Sequence, residues 1–190
     1  MSVPDTAVAA RHTAVPFVRA AVPADHPGIR EVAIAAYRQY AYLIPPDVFS
    51  SYLADLLDVD THARFGHLFV VEAGERVCAY AAWYPDASVR WFPWPAGWAT
   101  GRALAVHPDA RGNGAAHALL AAGEHLALQA GAPVLAFHTH SYMTGASALY
   151  ERAGYRRAPQ LDFDVAARYG AFGAAPVMSL AYFRHLTRNA

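Results

Sequence analysis

The chain of 190 residues contains no lysine; its fifteen basic residues are all arginine, and fifteen acidic residues balance them. Without lysine there is no nucleotide P-loop, because that loop needs a lysine and then Ser or Thr after its last glycine. Balanced charge leaves no long-range field for gathering nucleic acid. The single cysteine, Cys78, excludes an internal disulfide and a multi-cysteine zinc site. No apolar run is long enough to span a bilayer, and Met1 to Val15 lacks the charged start and apolar stretch of a signal peptide. The expectation is a cytoplasmic protein that binds neither membrane nor nucleic acid. Neither repeats nor a second-domain linker are present, so residues 15–190 are expected to form one domain behind a flexible tail, residues 1–14.

The pattern of apolar residues predicts mixed α and β structure. Val15 to Ala21 reads as a strand. A helix opens at Asp25 or His26, with Pro27 in its first turn and Ile29, Val32, Ala33 and Ala36 on one face. Pro45-Pro46-Asp47 breaks it and starts another, with Val48, Tyr52, Leu53, Leu56 and Leu57 inward. His67 to Glu72 and Arg76 to Trp83 read as a hairpin around Ala73-Gly74-Glu75. Tyr84 to Trp98 is too rich in proline for a central strand and reads as a long aromatic loop. Further on, Pro133 to His138 is a strand and Ala146 to Arg152 a helix stopped by Gly154. Tyr155 to Asp164 and Pro176 to Phe183 read as two final strands. The expected order is β-α-α-β-β-β-α-β-α-β-β.

The centre of the chain is the run from Thr100 to Tyr150. An extended stretch, Ala103-Leu104-Ala105-Val106, leads to Arg111-Gly112-Asn113-Gly114-Ala115-Ala116, and a helix follows from His117 to Ala130. A strand that feeds a glycine turn and then a helix makes an anion site. Unpaired N–H groups at the helix start point one way, and small residues let a phosphate reach the main chain. A dinucleotide fingerprint would need a third Gly or Ala where His117 stands, and an acidic residue about 20 positions on. Neither is there. The signature R-x-x-G-x-A is filled by Arg111, Gly114 and Ala116, and this stretch resembles motif A of the GNAT superfamily of acyl-CoA-dependent N-acyltransferases. The later run Ala146-Ser147-Ala148-Leu149-Tyr150-Glu151-Arg152-Ala153-Gly154-Tyr155 is similar to motif B of the same superfamily, with Tyr155 for the usual Phe.

The resemblance implies an α/β fold with a mixed, mostly antiparallel central sheet, splayed between its fourth and fifth strands, and helices on both faces. It implies acetyl-CoA as cosubstrate and no metal. Leu104, Ala105 and Val106 would hold the pantetheine arm along the fourth strand. The N–H groups of Arg111, Gly112, Asn113, Gly114, Ala115, Ala116 and His117 would take the diphosphate. Tyr150 matches the family tyrosine that returns a proton to the departing thiolate. With a thiol near 8.5 and a phenol near 10, that transfer is expected to be close to balanced. A buried core aromatic is the other role open to this residue.

Two positions depart from the family pattern. Thr100 stands where many relatives carry a base-acting Glu, and Met143 where an Asn often bonds the pantetheine. His138 and His140, at the end of the fifth strand, are alternative bases or simply packed side chains. Tyr37 to Pro46 and Tyr84 to Trp98 should wall the site for an amine-bearing acceptor, or else form lids or a contact between two copies of the chain. Few acids stand there, so a polycationic acceptor is not expected. Two rival functions remain open: a hydrolase around Gly145-Ala146-Ser147-Ala148-Leu149, which lacks the last glycine of a nucleophile elbow, and an acyl-CoA-binding sensor or regulatory protein without turnover.

Overall fold

The computed structural model describes residues 16–89, 93–168 and 176–187. Its elements run β1 (Val18–Ala20), α1 (His26–Tyr37), α2 (Pro46–Leu57), α3 (Val59–Phe65), β2 (His67–Ala73), β3 (Arg76–Tyr84), β4 (Ala99–Val106), α4 (Ala115–Gln129), β5 (Val134–His140), α5 (Thr144–Arg152), β6 (Arg156–Arg157), β7 (Phe163–Asp164), α6 (Val165–Arg168) and β8 (Met178–His185). The expected tail, Val15, and Trp91 and Phe92 of the aromatic loop lie outside the described residues.

One sheet takes in all the strands, in the order β1-β2-β3-β4-β5-β8-β6, with β7 also on β8. Every pairing is antiparallel except β4 with β5, which is parallel. The β2–β3 hairpin turns at Gly74, whose φ of 65° is left-handed and suits glycine. The fold is therefore the mixed, mostly antiparallel sheet expected.

β3 shows why both faces must be covered. From Cys78 to Tyr84 every side chain is buried. Tyr80, Ala82 and Tyr84 pack with α1 and α2, while Ala79, Ala81 and Trp83 pack with α4. A strand alternates its side chains, so an unbroken apolar run needs a helical layer on each side. α1 supplies Ile29, Val32, Ala33 and Ala36 at helical spacing, as read from the sequence, and buries Tyr37 beside them.

The chain differs from expectation at three places. A third helix, α3, stands before β2. Asp58 caps it by accepting the Thr61 N–H at 3.3 Å, and Val59 and His62 are its buried face. That Asp-x-x-Thr signal was available in the sequence. The strand expected over Tyr155 to Asp164 splits into β6 and β7, because a 3-10 turn, Pro159–Leu161, interrupts it. Proline cannot donate to the ladder. A short helix, α6, then precedes the last strand. The helix α1 opens at His26, as expected, and Asp25 before it makes no side-chain cap bond. Its carboxylate accepts the Val22 N–H at 2.7 Å and pairs with Arg19 through two bonds of 2.7 and 2.8 Å.

Candidate active site

β4 and β5 set the geometry. Their pairing consists of Ala99 with Leu135 and Thr100 with Ala136. Beyond that point β4 continues to Val106 and β5 to His140, with no pairing between them. β4 keeps β3 along its other edge, but not evenly. Ala82 faces Arg102 and Tyr80 faces Ala105, so Ala103 and Leu104 stand opposite one residue of β3. Ala103 has a φ of 60°, the left-handed conformation of a bulge. The bulge and the missing partner leave the main chain from Gly101 to Val106 with one edge unpaired by a strand.

The loop after β4 follows its sequence closely. Pro108–Ala110 makes a 3-10 turn, and His107 accepts the Asp109 N–H at 3.3 Å. Gly112 and Gly114 have φ of 78° and 89°, and Gly114 caps α4. Asn113 Oδ1 accepts the Ala115 N–H at 2.9 Å, and the Arg111 N–H reaches Pro108 O at 3.3 Å. These two amides are therefore already engaged, which corrects the expectation that every N–H from Arg111 to His117 faces outward. Among the described residues, no such bond takes the amides of Gly112, Asn113, Gly114, Ala116 or His117.

Two cavities meet at the split. The outer one, of about 500 Å³, is a groove walled by Leu104, Ala105, Val106, Arg111 and Ala116 on one side and by Tyr142, Thr144, Gly145 and Leu149 on the other. The inner one, of about 70 Å³, lies between the strands and is reached by Thr100 to Leu104 and Phe137 to His140. Tyr37, Leu104, Met143, Ala146 and Tyr150 line both.

Residues 31–155 match the Acetyltransferase (GNAT) family. The chain belongs to the GNAT acetyltransferase family. Solved GNAT-like structures agree in fold. A "histone acetyltransferase HPA2 and related acetyltransferase" from Corynebacterium glutamicum is 23% identical over 93% of this chain and 99% of its own, with a TM-score of 0.65. The PaiA N-acetyltransferase from Thermoplasma acidophilum, solved with coenzyme A, is 14% identical over 89% and 98%, again at 0.65. A ribosomal-protein-alanine N-acetyltransferase from Brucella melitensis is 18% identical over 90% and 99%, at 0.61. Comparison with curated proteins finds no match.

Of the residues carried over from the GNAT motifs, Leu104, Ala105, Val106, Arg111 and Ala116 line the outer groove. Gly112 to Ala115 and His117 form the turn and first helical turn around them. Tyr150 is buried in a ring cluster with Phe137 at 4.3 Å and Tyr182 at 5.7 Å. Tyr155 and Tyr182 donate their hydroxyls to Glu124 and Glu151, whereas Tyr150 borders both cavities. Burial pushes the Tyr150 phenol above its usual value. Transfer of its proton to a thiolate is therefore further uphill than the balanced exchange expected, since the gap between phenol and thiol widens.

Thr100 is buried at the apex of the split, and its hydroxyl finds no partner. His138 and His140 both border the inner cavity. His138 Nε2 donates to Leu161 O at 3.0 Å, and the ring stacks on Trp94 at 4.3 Å. His140 is buried, edge-on to Tyr52 at 4.8 Å and stacked on Tyr142. Met143 packs in the core beneath the groove. Ser147 lies inside α5 rather than at a strand-to-helix elbow, so the hydrolase geometry is absent. Among the described residues no cluster could hold a metal ion, and no helix is long and apolar enough to cross a membrane.

Two features beside the inner cavity were not legible beforehand. Arg102 lines the inner cavity, and its guanidinium is held by Asp55 of α2 through Nε at 2.9 Å and again through Nη2. Its guanidinium lies over the Tyr52 ring at 5.2 Å. Beneath, buried His62 joins Tyr84 OH at 2.6 Å and Asp55 O at 2.9 Å. Tyr37, from the segment expected to wall the acceptor site, lines both cavities. Nothing local in the sequence marks Asp55, His62, Tyr84 and Arg102 as partners, since they come from different elements.

Proposed function

We propose that the protein transfers an acetyl group from acetyl-CoA to a primary amine. The observation that carries the proposal is the split itself: a bulged β4 with an open edge, ending in a loop of free amides, and a tyrosine at the passage between two cavities. The open edge from Gly101 to Val106 suits an extended amide-bearing chain, which would bond to it as a strand does. Gly112, Asn113, Gly114, Ala116 and His117 offer main-chain donors at a helix start, and the coenzyme's diphosphate fits that chemistry. The bound thioester would supply the activated acyl group.

The residues of this chain then have distinct tasks. Main-chain N–H groups near the bulge at Ala103 stabilise charge on the carbonyl oxygen under attack. The amine forms the new amide bond as the carbon–sulfur bond breaks. Tyr150 donates a hydrogen bond to the leaving sulfur, and the proton lost by the amine balances the one the thiol gains. Thr100 cannot act as a base, so the amine must arrive neutral or pass its proton to His138 or His140.

Calorimetry with coenzyme A and acetyl-CoA, followed by thiol release across an amine panel, tests this. Binding with amine-dependent release is expected. Binding without release would favour the acyl-CoA sensor, a reading that Thr100 and Met143 keep in view. No binding would end both.

A further inference from the structure

The inner cavity also carries information about the acceptor, which rests on the acetyl-transfer reading. Among the described residues that line it there is no Asp or Glu. The charged residue in its lining is Arg102, from the middle of β4. Asp55 does not line the cavity; its carboxylate holds the Arg102 guanidinium from the helix side. Thr100, one position before Gly101 on the same strand, brings a buried hydroxyl without a partner. A buried hydroxyl left unsatisfied is costly and is normally paired once a ligand is present. His138, Thr139, His140 and Ser179 add further polar groups to the wall, and the remainder is aromatic, aliphatic or small.

A site that receives a polyamine needs carboxylates for the cations that remain after one amine reacts. This one offers donors instead: the Arg102 guanidinium, already paired with Asp55, and the Thr100 hydroxyl. Its polar wall matches an oxyanion, because arginine and a hydroxyl both donate to carboxylate oxygens. Size narrows the choice. About 70 Å³ corresponds to roughly five water-sized groups. That volume suits an amine and a carboxylate separated by one or two carbons.

We propose that the acceptor is a small amino acid, with its carboxylate held by Arg102 and Thr100 and its amine directed to the passage beside Tyr150. Arg102 and Thr100 are then specificity-determining residues. They orient the amine by fixing the other end of the molecule.

The test pairs acceptors that differ only at the carboxylate: glycine and alanine against glycinamide and alaninamide, with methylamine and spermidine alongside. Thiol release from acetyl-CoA is measured for each with the full-length protein. The free amino acids are expected to exceed their amides at least tenfold in kcat/KM, with methylamine and spermidine lower still. Arg102→Met should bring the ratio close to one, with the coenzyme affinity from calorimetry unchanged. Because that variant strands Asp55, Thr100→Val serves as a second, nearly isosteric probe and should lower the ratio several-fold. Equal use of acid and amide, or a preference for spermidine, would overturn the proposal. So would a protein that binds the coenzyme and acetylates only larger amines. Failure to bind the coenzyme at all would instead refute the transferase function, so the two failures are distinguishable.

Discussion

Gly123 gives a prediction whose sign separates packing from local preference. It sits in the interior of α4, where replacing glycine with alanine ordinarily stabilises a helix by about 1 kcal/mol. Here a Cβ would lie 2.5, 2.6 and 2.9 Å from three atoms of the Trp83 ring. Carbon atoms in contact prefer about 3.5–4.0 Å, so the ring would have to retreat by about 1 Å. It has nowhere to go. On its other side is Gly101 of β4, where a Cβ would stand 2.1 Å from the same ring. The indole fills a slot between two glycines and is 2% exposed. Overpacking of this kind costs about 1–3 kcal/mol, and a planar ring closed in on both faces belongs at the upper end. The net effect of Gly123→Ala is then a loss of about 2 kcal/mol, or about 5 °C in Tm for a chain of this length. Thermal and urea unfolding followed by circular dichroism measure it. Trp83 also walls the inner cavity, so turnover should fall with stability. In a Trp83→Leu background the substitution should become stabilising by about 1 kcal/mol, since only helix preference remains. A rise in Tm on the wild-type background would refute the reasoning.

Other outcomes follow from the same geometry. Tyr150→Phe should lower thiol release by about 100-fold and leave coenzyme affinity within about twofold; since burial raises the phenol above its ordinary value, the wild-type rate should not decline between pH 8 and 10 through loss of this proton. Gly114→Val places a β-branched side chain at φ 89°, at a cost of about 1–2 kcal/mol, and should weaken coenzyme binding about tenfold in calorimetry. Asp25, held by the Arg19 guanidinium, has its carboxyl lowered to about 2. A folded value below the unfolded one gives stability that is complete above about pH 4 and lost as pH falls towards 2. Asp25→Asn should therefore be less stable than wild type by about 1 kcal/mol at pH 7, after solvent screening, with the gap closing at pH 2 in urea titrations.

The helices and the loop were legible because their causes are local. Pro27 and Pro46 start helices, Gly74 and Gly114 take left-handed turns, and Ile29, Val32, Ala33 and Ala36 repeat at the helical interval. Motif A could be read for the same reason: its turn is set by Gly112 and Gly114, whose φ of 78° and 89° suits glycine. α3 was missed although Asp58 signals its start, since seven residues give too short a period to stand out. The expected strand from Tyr155 to Asp164 failed at Pro159, where a missing N–H outweighs the apolar pattern around it.

By itself, then, the sequence determined the order of most elements, the strand–loop–helix that resembles the GNAT anion site, and the place of Tyr150 in its motif. Only the tertiary structure decided that β4 and β5 part after Thr100, that Ala103 bulges, that Trp83 needs two glycines from different elements, and that Asp55 and Arg102 meet beside the inner cavity. The physical reason is distance along the chain. A turn, a cap or a helical face is fixed by residues within a few positions of one another. A cavity is the space left when strands and helices remote in sequence pack, and its charge depends on which side chains that packing turns inward.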